Sequence, residues 1–393
     1  MEASVVVWRA WTAQIKTLAP WLHLHQCRAL ALLTLGLVQA GSVRLPVVAE
    51  ALAATSAARL PSIERRLARL LANPRVPVGR LWAALLPLLL AGWRTQARTA
   101  EAPAAVLVLD LTPLDQRASI VYLGLLIHTR VLPLAWQVEP GSDPWPEPLW
   151  TVVARLFAQV APYLGPATGV TCTLVADRGL VGHPLVALCQ QHGWHYVLRL
   201  EGSSCYQPLA ADHAAATATD WQRVDTLVRQ PGQHWYGAAR IWKEQSVQGS
   251  LSATWAPDAQ APWYLLSDLP AGPRRIATYR LRMRVEATFQ DTKGRGWDLE
   301  GSRVHDLARL EGLLLGLALA LWWTTHLAAA CLHHGQRRRC DRHDRRDKGL
   351  FRLGRLRAAQ LLRRPPARQT PRWLAALLPF RQTPTGWQLQ LRF

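Results

Sequence analysis

The stretch AAVLVLDLT, residues 104–112, is where the character of the chain changes. Before it, apolar residues recur at helical spacing. Within it they form an unbroken run of strand length, closed by one acid, Asp110. An apolar run of this kind fits a strand covered on both faces. Such a strand needs packed layers above and below, so the run predicts an α/β fold with helices against a sheet.

The same pattern returns downstream. SIVYLGLLIHTRVLPLAWQV (119–138) supplies two strand-like runs around a polar break at His128–Arg130. PEPLWTVVARLFAQVAPYL (146–164) reads as a helix. GVTCTLVADRG (169–179) is another buried strand, and it too ends on an acid, Asp177. HPLVALCQQHGW (183–194) is helical and HYVLRLE (195–201) strand-like. The order β-β-β-α-β-α-β predicts a mixed sheet with helices packed on it. From Gly202 to Pro270 the runs become short, Trp-rich and divided by Gly, Pro and Asp: TDWQRVDTLV, QHWYGAARIWKE, GSLSATWAP and PWYLLSDL. They predict a small antiparallel β insertion.

Upstream, the first hundred residues read as helices. CRALALLTLGLVQAG (27–41) ends on a C-capping glycine, Gly41. LPVVAEALAA (45–54) has Pro46 near its first turn, and PSIERRLARLLANP (61–74) starts at Pro61 and stops before Pro74. Three short helices with tight connections resemble a helix-turn-helix bundle. The third presents Arg65, Arg66 and Arg69. A DNA-reading helix and a plain bundle with a basic surface both fit. At the other end, residues 337–393 hold sixteen Lys/Arg against three Asp, which is most of the chain's +20 charge. Aliphatic and Trp residues between the arginines predict an ordered, mainly helical element that could face phosphates.

A net charge of +20 points to a polyanionic partner, nucleic acid or an anionic membrane. The nineteen Trp are expected mostly in the core, although indoles also stack on bases. Six scattered Cys without a CxxC fit a reduced cytosolic protein, and the run CLHHGQRRRCDRH (331–343) matches no common zinc template. The N-terminus lacks the layout of a signal peptide. LWAALLPLLLAGW (81–93) is too short to span a bilayer, and GLLLGLALALWWTTHLAAACL (312–332) is interrupted by Thr324, Thr325 and His326, so it reads as a buried helix.

The chemistry concentrates in YRLRMRVEATFQDTK, residues 279–293. On an ideal helix Tyr279, Arg282, Glu286 and Lys293 fall within an arc of roughly 60°. Leu281, Val285, Thr288 and Thr292 lie opposite, as a packing face. The polar face carries one carboxylate amid two cations and a phenol. Taken alone, it could be a solvated face with an i,i+4 Arg282/Glu286 pair. Asp110 and Asp177 could likewise be ordinary strand-end turn residues. Together, two strand-end acids and a helix acid could converge beside the sheet. Three carboxylates there would suit Mg²⁺, and two such ions can activate a nucleophile and stabilise a leaving oxygen. Tyr279, Arg282 and Lys293 would then hold a polyanion beside them.

These residues resemble the DDE transposases of bacterial insertion sequences, in the group marked by Y-x2-R-x3-E-x6-K. Tyr279, Arg282, Glu286 and Lys293 fit that signature without a gap, LVLDLT resembles the first-Asp strand and LVADRG the second. The resemblance covers roughly residues 25–330. It implies an RNase H-like core at 101–201 and 273–332, interrupted by the β insertion at 202–272. An N-terminal DNA-binding domain at 1–100 precedes it, and a basic region at 333–393 follows. It implies that Asp110, Asp177 and Glu286 hold two Mg²⁺, which Mn²⁺ can replace, and that Tyr279, Arg282, Lys293 and Arg178 touch phosphates at the element's ends. Some members stack a flipped base on a Trp of the insertion, for which Trp255 and Trp263 qualify. The implied partners are double-stranded DNA, at the element's ends and at the target, and a second copy of the chain. No membrane partner is implied, and the implied place is the bacterial cytoplasm at the nucleoid. The departure from the pattern is Pro113, just after the first acid. A DNA-binding relative without activity, or a nuclease without strand transfer, would share much of this sequence.

Overall fold

The computed structural model describes residues 3–389 apart from 54, 57, 98–103, 143, 210–220, 343, 364–379 and 384–385. Helices α1 (Ala3–Leu18), α2 (Leu24–Ala40), α3 (Leu45–Ala51), α4 (Leu60–Leu71) and α5 (Val78–Ala97) come first. Their ends follow from the sequence. α2 stops at Gly41, whose φ of 61° is left-handed, and a Cβ there would run into the guanidinium of Arg355. Pro46 and Pro61 sit in the first turns of α3 and α4, where a missing N–H costs little. α2 and α3 meet at 89°, as in a helix-turn-helix, but α2 is buried along most of its length.

The sheet follows in the expected order: β1 (Ala104–Leu114), β2 (Ala118–Ile127), β3 (Arg130–Pro140), α6 (Leu149–Val160), β4 (Thr171–Ala176), α7 (His183–Gln191) and β5 (His195–Arg199). β1, β4 and β5 run parallel, while β2 and β3 are antiparallel additions on the β1 side. Strands β6 (Cys205–Pro208), β7 (Gln222–Arg223), β8 (His234–Ile241), β9 (Val247–Thr254) and β10 (Trp263–Ser267) pair antiparallel among themselves. They do not form a separate sheet. β10 pairs with β5, so one ten-stranded mixed sheet runs β3-β2-β1-β4-β5-β10-β9-β8-β6-β7. Residues 210–220 of the expected insertion lie outside the described residues.

The chain then crosses the sheet as α8 (Pro273–Arg280) and α9 (Arg284–Phe289), and continues to α10 (Leu307–His333) and α11 (Leu350–Arg363). A short hairpin, β11 (Phe380–Thr383) and β12 (Gly386–Leu389), lies near the end. α10 is long and apolar enough to cross a membrane, but 89% of its most apolar window is buried inside the protein. It is the central core helix. Trp322 on α10 donates its indole N–H to Pro133 O (3.0 Å), and Trp82 on α5 donates to Leu134 O (2.6 Å). A β-bulge explains both bonds. Strand pairing jumps from Leu123–Ala135 to Gly124–Pro133, which disrupts the ladder there, and the two indoles satisfy the exposed carbonyls.

Among the described residues the larger hydrophobic cluster runs from Ala3 to Ala358, so the helices before residue 100 share their interior with the sheet, and a smaller cluster gathers Ala328, Cys331, Cys340, Leu350 and Leu353. Some cations of the basic C-terminal region serve that interior. Arg355 donates to Val38 O and Gln39 O at the end of α2, and Arg337 and Lys348 close on the buried Asp341. Residues 364–379 of this region lie outside the described residues.

Candidate active site

Strand register builds the floor of the site. Leu109 on β1 is paired with Ala176 on β4, and Ala176 with Leu198 on β5. One residue further along, three adjacent parallel strands present Asp110, Asp177 and Arg199 side by side. β4 ends because Asp177 caps the next turn, accepting the Arg178 N–H at 2.8 Å. β1 continues past that end with β2 as its neighbour. Asp110 accepts the Leu111 N–H at 2.9 Å. Pro113 falls where β1 has a partner on one side only, a position that tolerates a missing N–H.

The third acid comes on the segment after β10, which is not an ideal helix. α8 tightens into a 3₁₀ turn at Leu281–Met283, resumes as α9, then widens into a π turn at Gln290–Gly294. The i,i+4 Arg282/Glu286 pair forms, but the members of the polar face differ in burial. Tyr279 and Arg282 turn inward and are 1% and 7% exposed, while the Glu286 side chain is 49% exposed. Val285 and Thr288 are buried as expected. Thr288 Oγ1 accepts the Val131 N–H at 2.9 Å, Phe289 meets Tyr122 edge-on, and Asp291 pairs with Arg130. These interactions fasten α9 and its π turn to β2 and β3.

Arg282 stands at the centre. Its Nη2 lies 2.9 Å from Asp110 Oδ2 and 3.4 Å from Asp177 Oδ2, and its Nη1 lies 3.7 Å from Glu286 Oε1. Its buried Nε has no hydrogen-bond partner. Tyr279 donates its hydroxyl to Asp177 Oδ1 at 3.2 Å, and Arg199 Nη1 reaches the same oxygen at 3.7 Å. Burial pushes Asp110 up to about 6, against the pull of Arg282. Burial acts upward on Asp177 as well. There the Arg178 N–H, Arg282, Arg199 and the Tyr279 hydroxyl outweigh it and hold the carboxyl below its usual range.

Lys293 reaches β1 just beyond the first acid. Its ammonium donates to Thr112 Oγ1 at 3.2 Å and to Pro113 O, and lies 3.5 Å from Glu300. The π turn sets that reach. Trp297 N donates back to Asp291 O at 2.8 Å, and Gly296 lets the chain pass where a Cβ would lie 1.8 Å from that oxygen.

Among the described residues no group of three or more His, Cys, Asp or Glu side chains is gathered into a metal cage. Around Arg282 the guanidinium supplies the positive charge that the acids face. The chemistry of the donor set suits a hard divalent cation: three carboxylates from three elements, each within reach of the one guanidinium.

The other expected residues lie further out. Arg178 is exposed and 3.6 Å from Glu201. Arg65, Arg66 and Arg69 are exposed on α4 and line a groove of about 720 Å³ with Trp8, His25 and Arg28, and among the described residues no carboxylate lines it. Trp263 packs edge-on against Tyr279, 5.0 Å between ring centroids, which places it beside the site. Trp255 bonds within its own turn, to Ala259 O. Arg199, Thr112, Arg28 and Trp8 join the site and the groove without standing out in the sequence. Arg199 has a readable signal all the same, since LVLD, LVAD and YVLR each end an apolar run on a charged residue.

A family model described as the transposase DDE domain matches residues 116–323, just over half of the chain. Asp177 and Glu286 fall within the match, and Asp110 lies shortly before it. No curated protein matches the chain.

Proposed function

Because this chain belongs to the transposase DDE domain family, we propose that it cuts DNA at the ends of an insertion sequence and joins the freed 3′-hydroxyls to target DNA. The observation that carries the reading is the meeting of Asp110, Asp177 and Glu286 around one guanidinium, at the C-terminal ends of parallel strands. In this reading those three carboxylates hold two Mg²⁺, for which Mn²⁺ can substitute. When bound, such ions activate the attacking oxygen and stabilise the leaving one in an in-line displacement.

The remaining residues position. Tyr279 orients Asp177 through its hydroxyl. Lys293, tied to β1 beside Asp110, sets a positive charge at the rim, and the exposed Arg178 adds another. The basic groove on α4 takes the duplex further from the cut, through phosphates and, where side chains reach, base edges. Trp263 is the insertion aromatic that a displaced base would meet first. Cutting two ends together calls for a second copy of the chain.

Strand transfer is the step that separates a transposase from a nuclease. Purified protein is mixed with Mg²⁺, a supercoiled target plasmid and pre-cut duplexes carrying the terminal DNA that flanks this gene. The reading predicts labelled end DNA joined covalently to plasmid through its 3′-hydroxyl. No joined product, from protein that does cut uncut duplexes of the same sequence, would make the protein a nuclease.

A further inference from the structure

The position of Arg282 goes beyond holding DNA. This inference rests on the reading of Asp110, Asp177 and Glu286 as metal ligands. We propose that Arg282 is an exchangeable counterion: it holds the three acids together in the free protein and leaves them when divalent cations enter, its charge passing to a DNA phosphate. Arg282 is then a positioning residue that makes metal loading depend on DNA.

Three observations lead there. Arg282 reaches all three acids at 2.9–3.7 Å, whereas Arg199 reaches only Asp177 and Tyr279 is a neutral donor. Three like charges that converge beside the buried Asp110 repel one another, so this arginine shapes the site in the absence of metal. A divalent cation needs the same oxygens, and it repels a guanidinium set among them. Arg282 is also incompletely satisfied where it stands, because its Nε is buried without an acceptor, which is a poor endpoint for a permanent ion pair. Finally, it sits in the 3₁₀ turn Leu281–Met283 between two α-helical segments, beside the exposed Met283, where a small change of backbone redirects one side chain without moving α8 or α9.

Linkage then works in both directions. A phosphate that attracts Arg282 strengthens metal binding, and metal that displaces Arg282 strengthens phosphate binding by the same factor. The free protein holds metal weakly, and DNA in the site loads it.

The test measures Mn²⁺ binding by the electron paramagnetic resonance signal of the free ion. It uses the full chain without DNA, then with a generic duplex. Wild type is compared with Arg282→Gln, Arg282→Lys, Asp177→Asn and the surface control Arg155→Gln. Without DNA, Arg282→Gln binds Mn²⁺ about tenfold or more tightly than wild type, within the usual range of coupling. Arg282→Lys falls between, since an ammonium spans fewer acids, and Arg155→Gln matches wild type. The duplex tightens Mn²⁺ binding for wild type and not for Arg282→Gln. Unchanged or weaker Mn²⁺ binding by Arg282→Gln overturns the exchange. If that variant fails to fold, Arg282→Lys decides by the same criterion. Asp177→Asn separates the two ideas: if it binds Mn²⁺ as well as wild type, the metal-ligand reading itself fails. If it loses Mn²⁺ while Arg282→Gln is unchanged, only the exchange fails.

Discussion

Arg282 Nη2 lies 2.9 Å from Asp110 Oδ2, and the two side chains are only 9% and 10% exposed. Burial holds Asp110 up to about 6, and one cation shared among three acids does not fully offset it. The folded protein therefore keeps this proton more tightly than the unfolded chain does. The contribution to stability is complete below about pH 4 and is lost as pH rises to about 6. In metal-free protein, Asp110→Asn should be more stable than wild type at pH 8, by up to about 3 kcal/mol, and equally stable at pH 4. A lower melting temperature at pH 8 would show that the Asp110–Arg282 pair stabilises the fold outright.

Tyr279→Phe removes the hydroxyl that Asp177 accepts and keeps the ring against Trp263. Asp177 retains the Arg178 N–H, Arg199 and Arg282. Stability should fall by about 1 kcal/mol and cleavage should weaken without disappearing. Denaturant titration and end cleavage check both. Loss of all cleavage would place the hydroxyl in the chemistry itself.

Lys293 and Arg178 carry the same charge but differ in attachment. Lys293→Ala breaks the bonds to Thr112 and Pro113 and the pairing with Glu300, so it should cost about 1 kcal/mol of stability as well as DNA affinity. Arg178→Ala, at an exposed pair, should leave stability within about 0.5 kcal/mol and weaken DNA binding alone. Equal melting temperatures for the two variants would remove the structural part assigned to Lys293.

The N-terminal groove is tested by substitution, because deleting residues 25–75 would remove α2 from the common core. Replacing Arg28, Arg65, Arg66 and Arg69 with Ala should leave melting unchanged. It should flatten the slope of log affinity against log salt by about 0.9 for each phosphate that these arginines neutralise. Loss of preference for the correct ends would show base reading, and preference kept at lower affinity would show phosphate grip alone. An unchanged slope would take the groove away from DNA.

The sheet and its acids were legible because period and punctuation agree there. AAVLVLD and TLVAD are apolar runs that end on the residues the register brings together. Other features depend on residues distant in sequence. The continuity of β6–β10 with the core sheet comes from the β5–β10 pairing, which local pattern does not encode. The 3₁₀ turn at Arg282 and the π turn at Lys293 change the spacing along this segment, and an ideal helical wheel contains neither. The basic C-terminal region read as an ordered, mainly helical element that could face phosphates, but the pattern did not show that Arg355 caps α2 or that Arg337 and Lys348 close on Asp341. The sequence shows the charge of these side chains, not the partners that folding brings to them.

The most direct test of the whole account is cleavage of DNA that carries this gene with its native flanks. Wild type is compared with Asp110→Asn, Asp177→Asn and Glu286→Gln, each with and without Mg²⁺. The account predicts Mg²⁺-dependent breaks at the two element ends by wild type, leaving 3′-hydroxyls. Each variant should bind the ends and cut at background level. Cleavage without a divalent cation, or near-normal cleavage by any of the three variants, would contradict it.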